Sequence, residues 1–211
     1  MKKILALVLI MATFCLAGCT KEETPLAGGW LITESSEITL PESIQADFTS
    51  ALSDNSLMPV AILGEQVVAG KNYMILCKNV KEEKLKVAQF YVDLQGKTEL
   101  TSLTDFELTD YVEGEGAGTE QLDGGWSLPE DFGDPQVPED AMSAFGNVAT
   151  EKTVMRPIAE LGMQFVSGIN YALLCEDGEN LEVVVLYVNL DGKTEITNIH
   201  KINLADLAKY D

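Results

Sequence analysis

The sequence predicts an α+β protein of two tandem units, each a four- to five-stranded antiparallel sheet wrapped on one helix. Three observations carry that expectation. The chain repeats itself at a spacing of 96 to 98 residues, each copy opens with one short helical pattern, and everything after that helix is extended and punctuated by turn residues. A period of that length exceeds the roughly 20–50 residues of solenoid units and suits two small domains in series.

The repeat is legible residue by residue. Gln66-Val67-Val68-Ala69-Gly70 returns as Gln164-Phe165-Val166-Ser167-Gly168, each preceded by Leu-Gly and followed by a matched cysteine, Cys77 or Cys175. The stretch from Phe90 to Leu100 returns from Leu186 to Ile196, and Gly28-Gly29-Trp30 returns as Gly124-Gly125-Trp126. The expected organisation is a signal segment over 1–18, a tether over 19–27, a first domain over 28–110, a Gly/Glu-rich linker over 111–123 and a second domain over 124–211.

In the first unit Leu40-Pro41-Glu42 opens the helix, with proline and an acid in its first turn as helix starts prefer. Ile44, Phe48, Ala51 and Leu52 recur on one face; Met142, Phe145, Val148 and Ala149 are the expected counterparts in the second unit. Strands are expected over 58–68, 71–80, 85–94 and 98–108, joined by Ala69-Gly70, by 81–84 and by Gln95-Gly96-Lys97. At matching bends the second unit has Asp177-Gly178 and Asp191-Gly192, the dipeptide that favours hairpin turns. Ala88, Phe90, Val92 and Leu94 share one strand face, which the helix is expected to cover, and Trp30 and Trp126 are expected as lids on the core beside that helix.

Lys2 and Lys3, an apolar run from Ile4 to about Phe14 and the tetrapeptide Leu16-Ala17-Gly18-Cys19 follow the order of an export signal. The run is shorter than the roughly 20 residues a spanning helix needs. It resembles a bacterial lipoprotein signal, which implies cleavage before Cys19, a lipid on that thiol and an exported chain anchored to the cell envelope. Removing the two signal lysines leaves 12 basic residues against 34 acids, a mature net charge of −22. Such a chain has no basic surface for nucleic acid, and the lipid rather than charge must hold it at a membrane.

Once Cys15 leaves with the signal and Cys19 carries lipid, Cys77 and Cys175 remain. As equivalent residues of two cores they read as small buried apolar groups. The single histidine, His200, has no counterpart in the first unit, so no Cys-His pair is repeated. No Ser-His-Asp set, metal-ligand spacing or phosphate-cradling glycine loop is present in the sequence. The expectation is a protein that is not an enzyme and uses neither cofactor nor metal.

The hairpin pattern Gln-x-Val-x-Gly, continuing into Asn-Tyr and preceded far upstream by paired glycines, resembles the cystatins, small inhibitors of papain-like cysteine peptidases. The resemblance covers about residues 28–108 and again 124–207, and implies two tandem cystatin-like domains. It also implies a non-covalent binding wedge along one edge of each domain. In the first, the wedge comprises Gly28 and Gly29, then Gln66, Val67, Val68, Ala69 and Gly70, then Gln95 and Gly96. In the second it comprises Gly124 and Gly125, then Gln164, Phe165, Val166, Ser167 and Gly168, then Asp191 and Gly192. The partners so implied are secreted or surface cysteine peptidases. Neither second hairpin carries tryptophan. The residues themselves leave another reading open: valines as ordinary strand residues, glycines as turn residues and glutamines as loop caps, all serving the fold of a surface structural or interaction module with no peptidase target.

Overall fold

The computed structural model describes residues 28–32, 40, 42–51, 56–112, 125–130, 137–149, 155–178 and 180–208. The expected signal, Cys19, the tether, Gly124 and the linker beyond residue 112 lie outside the described residues. The first unit runs β1 (Trp30–Leu31), α1 (Glu42–Ala51), β2 (Leu57–Val68), β3 (Gly70–Asn79), β4 (Lys84–Val92) and β5 (Thr98–Asp105), then a 3₁₀ turn at Leu108–Asp110. The second runs β6 (Trp126–Ser127), α2 (Glu139–Val148), β7 (Arg156–Val166), β8 (Gly168–Glu176), β9 (Leu181–Asn189), β10 (Thr194–Ile202) and α3 (Leu204–Leu207). In each unit the strands form one antiparallel sheet of five, neighbours in sequence being neighbours in the sheet. Short connections leave no other economical pairing.

The structure corrects the expected fold class. The protein is mostly antiparallel sheet, and the helices are minor: α1 and α2 have ten residues each and cover only part of one sheet face. An α+β domain with its sheet wrapped on one helix requires the helix to supply the main cover. Here the other sheet supplies it. The largest core cluster takes ten buried residues from each unit, among them Leu63, Leu76 and Val87 from the first sheet and Leu161, Leu174 and Val183 from the second. Two smaller clusters lie on the outer faces, one under α1 around Ile75 and Phe90, the other under α2 around Leu173 and Leu186. The order of layers is helix, sheet, sheet, helix. Both faces of β3, β4, β8 and β9 are therefore dry, which is why these strands read as nearly continuous apolar runs instead of alternating.

Three further expectations change with the second sheet. Trp30 and Trp126 pack against the inter-sheet core rather than beside the helices. The buried face of α2 is Ala141, Ala144 and Phe145, while Met142 is exposed; the two alanines let the helix settle close to the sheet. Tyr111 and Val112, which composition assigns to the linker, belong to the core: Val112 is buried, and Tyr111 stacks on Phe106 at 4.7 Å and meets the edge of His200 at 5.1 Å.

The units exchange contacts reciprocally. A Cβ on Gly64 would lie 2.7 Å from Leu204 Cδ1, and one on Gly162 would lie 3.0 Å from Leu108 Cδ2. The glycine of each Leu-Gly pair thus admits a leucine from the end of the other unit. Side-chain amides repeat the exchange: Gln89 Nε2 donates to the Leu207 carbonyl and Asn198 Nδ2 to the Tyr111 carbonyl, each at 3.1 Å. Lys78 adds a one-sided staple, its Nζ donating to the carbonyls of Pro129 and Glu130.

These contacts fix direction. Leu204 follows β10 at the end of its sheet remote from the β7–β8 turn, yet it packs beside Gly64, close to the β2–β3 turn. Leu108 does the converse. The end of the second sheet that lies beside Gly64 is therefore the one remote from the second tip, and the strand from Arg156 toward Ser167 carries that tip roughly 35 Å further along its own direction at about 3.3 Å per residue. Because neither sheet has an inner face of its own to spare, urea unfolding followed by tryptophan fluorescence and by circular dichroism is expected to give one coincident transition. Two separated transitions would show that the units are independently stable.

One residue breaks the apolar pattern. Glu160 occupies in the second unit the position of Ile62 in the first, both facing the helix side; it is 1% exposed and neither carboxylate oxygen has a hydrogen-bond partner. Burial, and secondarily the charge of Asp140, push its pKa up to about 7. An acid whose folded pKa is raised lowers stability as pH climbs from its unfolded value to its folded one, and the loss is complete above the latter. The window is therefore about pH 4.5 to 7, and the loss approaches about 3 kcal/mol. Glu160→Ile is expected to stabilise the protein by roughly that amount at pH 8 and by clearly less at pH 4.5, read from urea midpoints at the two pH values.

Candidate binding rims at the hairpin tips

Each sheet ends in a pole where three segments meet: the chain entering β1 or β6, the β2–β3 or β7–β8 turn, and the next hairpin of the same sheet. At the first pole Gly28 N–H donates to the Val67 carbonyl at 3.2 Å, while Gln66 Nε2 donates to the Gly28 carbonyl at 2.8 Å. Asn72 Nδ2 donates to Gln66 Oε1 at 2.6 Å, and Asn170 does the same to Gln164 at 2.7 Å. The glutamine amide of the first repeat thereby ties β1, β2 and β3 together. Its polar atoms are engaged within the fold.

The tip glycines also answer to the fold. Gly70 has φ of +129° and Gly168 of +140°, a region that side chains disfavour. A Cβ on either would run into the carbonyl oxygen of Val92 or Val188 and come within 2.8 Å of the ring of Tyr91 or Tyr187. Those tyrosines strap the turn from below: Tyr91 Oη donates to the Ala69 carbonyl, and Tyr187 Oη to the Ser167 carbonyl at 2.6 Å. The second hairpins are built by a side-chain acceptor at their first residue. Asp93 Oδ1 takes the N–H groups of Gln95 and Lys97, both at 2.8 Å, and Asn189 Oδ1 takes those of Asp191 and Lys193 at 3.0 and 2.9 Å.

What remains for a partner is apolar. Val67 and Val68 are 40% and 42% exposed, and Leu94 across from them is 77% exposed. With Lys71, Tyr73 and Val92 they border a recess of about 390 Å³. At the second tip Phe165, Val166 and Leu190 protrude, Phe165 being 60% and Leu190 86% exposed. Consecutive exposed apolar residues arise because both strands of the tip run beyond the sheets and helices that cover them elsewhere.

The structure brings together Gly28, Gly29, residues 66–70, Gln95 and Gly96 at one pole, and Gly125, residues 164–168, Asp191 and Gly192 at the other. It also separates roles within them. Ala69, Ser167, Gln95, Gly96, Asp191 and Gly192 are exposed turn residues, whereas Gly168 is buried and Gln164 nearly so. Sequence reasoning missed Leu94 and Leu190 as surface groups and Tyr91 and Tyr187 as straps. The spacing of Leu94 and Leu190, two residues before a turn glycine and past the last paired strand residue, was the available signal.

Cys77 and Cys175 are free and fully buried under the helices, and burial pushes both thiols up, Cys175 to about 12. They stay protonated near neutrality, so neither is poised as a nucleophile. Among the described residues no group of three or more His, Cys, Asp or Glu is placed to hold a metal ion, and no helix is long and apolar enough to cross a membrane. No protein-family model, curated protein or solved structure matches the chain.

The division of labour at the tips is open to a direct check. Gly168→Ala is expected to cost about 2–4 kcal/mol in urea unfolding, from backbone strain and collision with the Val188 carbonyl. Tyr187→Phe is expected to cost about 1 kcal/mol, the net value of one hydrogen bond, with faster amide exchange confined to the β7–β8 turn.

Proposed function

We propose that the chain is an envelope-anchored protein-binding lipoprotein, held by lipid on Cys19, that engages its partner through the apolar rim of a hairpin tip. The observation that carries this reading is the pairing of two exposed apolar residues on one hairpin with an exposed leucine on the next, present in both repeats on a strongly acidic chain. Rigid side chains of this kind, fixed by strapped turns, lose little conformational entropy on docking and suit the buried centre of an interface. Phe165 and Leu190 make the second rim the more prominent anchor.

The resemblance of the Gln-x-Val-x-Gly hairpins to those of cystatins names papain-like cysteine peptidases as the first partner class, blocked without any covalent step. That the glutamine and glycine serve the fold favours the other reading, a surface interaction module with no peptidase target, in which the exposed apolar residues still bind. Titration of the mature chain against papain-like peptidases separates the two. Under the inhibitor reading, Phe165→Asp combined with Leu190→Asp raises the inhibition constant about 100-fold or more, as loss of two interface anchors does, with the unfolding midpoint unchanged because both side chains are exposed. Absence of inhibition by the unsubstituted chain at micromolar concentration removes the peptidases as partners.

A further inference from the structure

We propose that the first rim rests on the lipid bilayer, with the second rim held clear of it. The inference rests on the reading of Cys19 as the lipidated residue. It follows from where the chain enters β1 and in which direction it runs.

Gly28 is hydrogen-bonded to Val67 and Gln66, and β1 pairs antiparallel with β2 through Trp30 opposite Gln66. Traced toward the N-terminus, the chain therefore leaves the sheet at the first tip and not at its base. Eight residues separate Cys19 from Gly28, and even fully extended the nine steps between them reach only about 30 Å. The lipid is thus confined near Val67, Val68 and Leu94. The second tip lies at the end of its own sheet remote from Leu204, roughly 35 Å of strand from the level where Leu204 meets Gly64.

The chemistry of the first rim fits an interfacial contact. Val67, Val68 and Leu94 are exposed and border an open recess. The two loops that form the rim, 67–71 and 93–97, contain Lys71 and Lys97 against one acid, Asp93, on a mature chain of net charge −22. Lys71 lies 3.2 Å from Glu65, on the flank of the rim. Headgroups of negative charge repel most of this molecule but not this pole. Three apolar side chains bind a bilayer weakly by themselves; with the lipid holding them at the surface, their effective concentration is high and a weak contact suffices.

The test uses the full chain, expressed with its own signal in a lipidating bacterium and reconstituted into phosphatidylethanolamine/phosphatidylglycerol vesicles whose acyl chains carry bromine, a contact quencher of tryptophan. Leu94→Trp and Leu190→Trp are made separately, and the emission each adds to that of the unsubstituted chain is measured. The proposal expects the emission added at position 94 to fall at least twofold in brominated vesicles and the emission added at position 190 to stay unchanged, with Val68→Glu abolishing the first effect. Quenching at both positions, at neither, or at 190 alone overturns it. Mass spectrometry of the same preparation shows whether Cys19 carries lipid. A chain without lipid overturns the anchor reading and this proposal together, whereas a lipidated chain with the wrong quenching pattern overturns this proposal alone.

Discussion

The reciprocal insertion of Leu108 beside Gly162 and of Leu204 beside Gly64 is the constraint on which the rest of the molecule depends. A side chain at either glycine would hold the partner's terminal segment off the sheet and collide with the backbone of β1 or β6 as well, at the carbonyls of Leu31 and Ser127. With both glycines in place, each sheet closes the inner face of the other, and ten buried residues from each unit form one core. Burial of apolar surface between two sheets is non-directional, so on its own it does not select a relative orientation. The leucine insertions and the two amide-to-carbonyl hydrogen bonds do, because each requires one particular end of one sheet against one particular level of the other.

From that orientation follows the placement of the rims. Each sheet sets its base rather than its tip beside the glycine of the other, so neither tip is covered by the other unit. At each pole the residues that make the turn possible and the residues that a partner can touch are different. Gly70, Gly168, Gln66 and the tyrosine straps are consumed by strand pairing and by carbonyls of their own hairpins. The valines, Phe165, Leu94 and Leu190 carry no such duty and remain exposed. A binding edge built this way is rigid because of its hidden members and apolar because of its visible ones.

The repeats have diverged within the frame they share. Lys86 meets Asp105 across β4 and β5 at 2.7 Å; the equivalent pair in the second unit has the signs exchanged, Glu182 facing Lys201 at 4.0 Å. Exchange of both members preserves the attraction, so the position tolerates it. Ile62 against Glu160 is a change of another kind, since the buried carboxylate has no compensating partner and the second helix–sheet core carries an ionisable group that the first lacks.

Strand positions and turns were legible in the chain itself, because they depend on local chemistry. The turn segments and the apolar runs between them place the four long strands of the first unit to within about three residues, and Asp177-Gly178 and Asp191-Gly192 mark the matching bends of the second. The glycines at the tips were legible as small residues, though not as residues forced by the neighbouring carbonyls of Val92 and Val188. What escaped was everything that depends on the second face of a sheet. Leu85 and Val87, on the parity opposite to Ala88 and Phe90, are buried only because another sheet lies there. A pattern along one strand reports that both faces are apolar but not what covers them. Helix cover and sheet cover bury the same side chains, and the choice between them was made by contacts more than a hundred residues apart in the chain, such as Gln89 with Leu207 and Gly64 with Leu204.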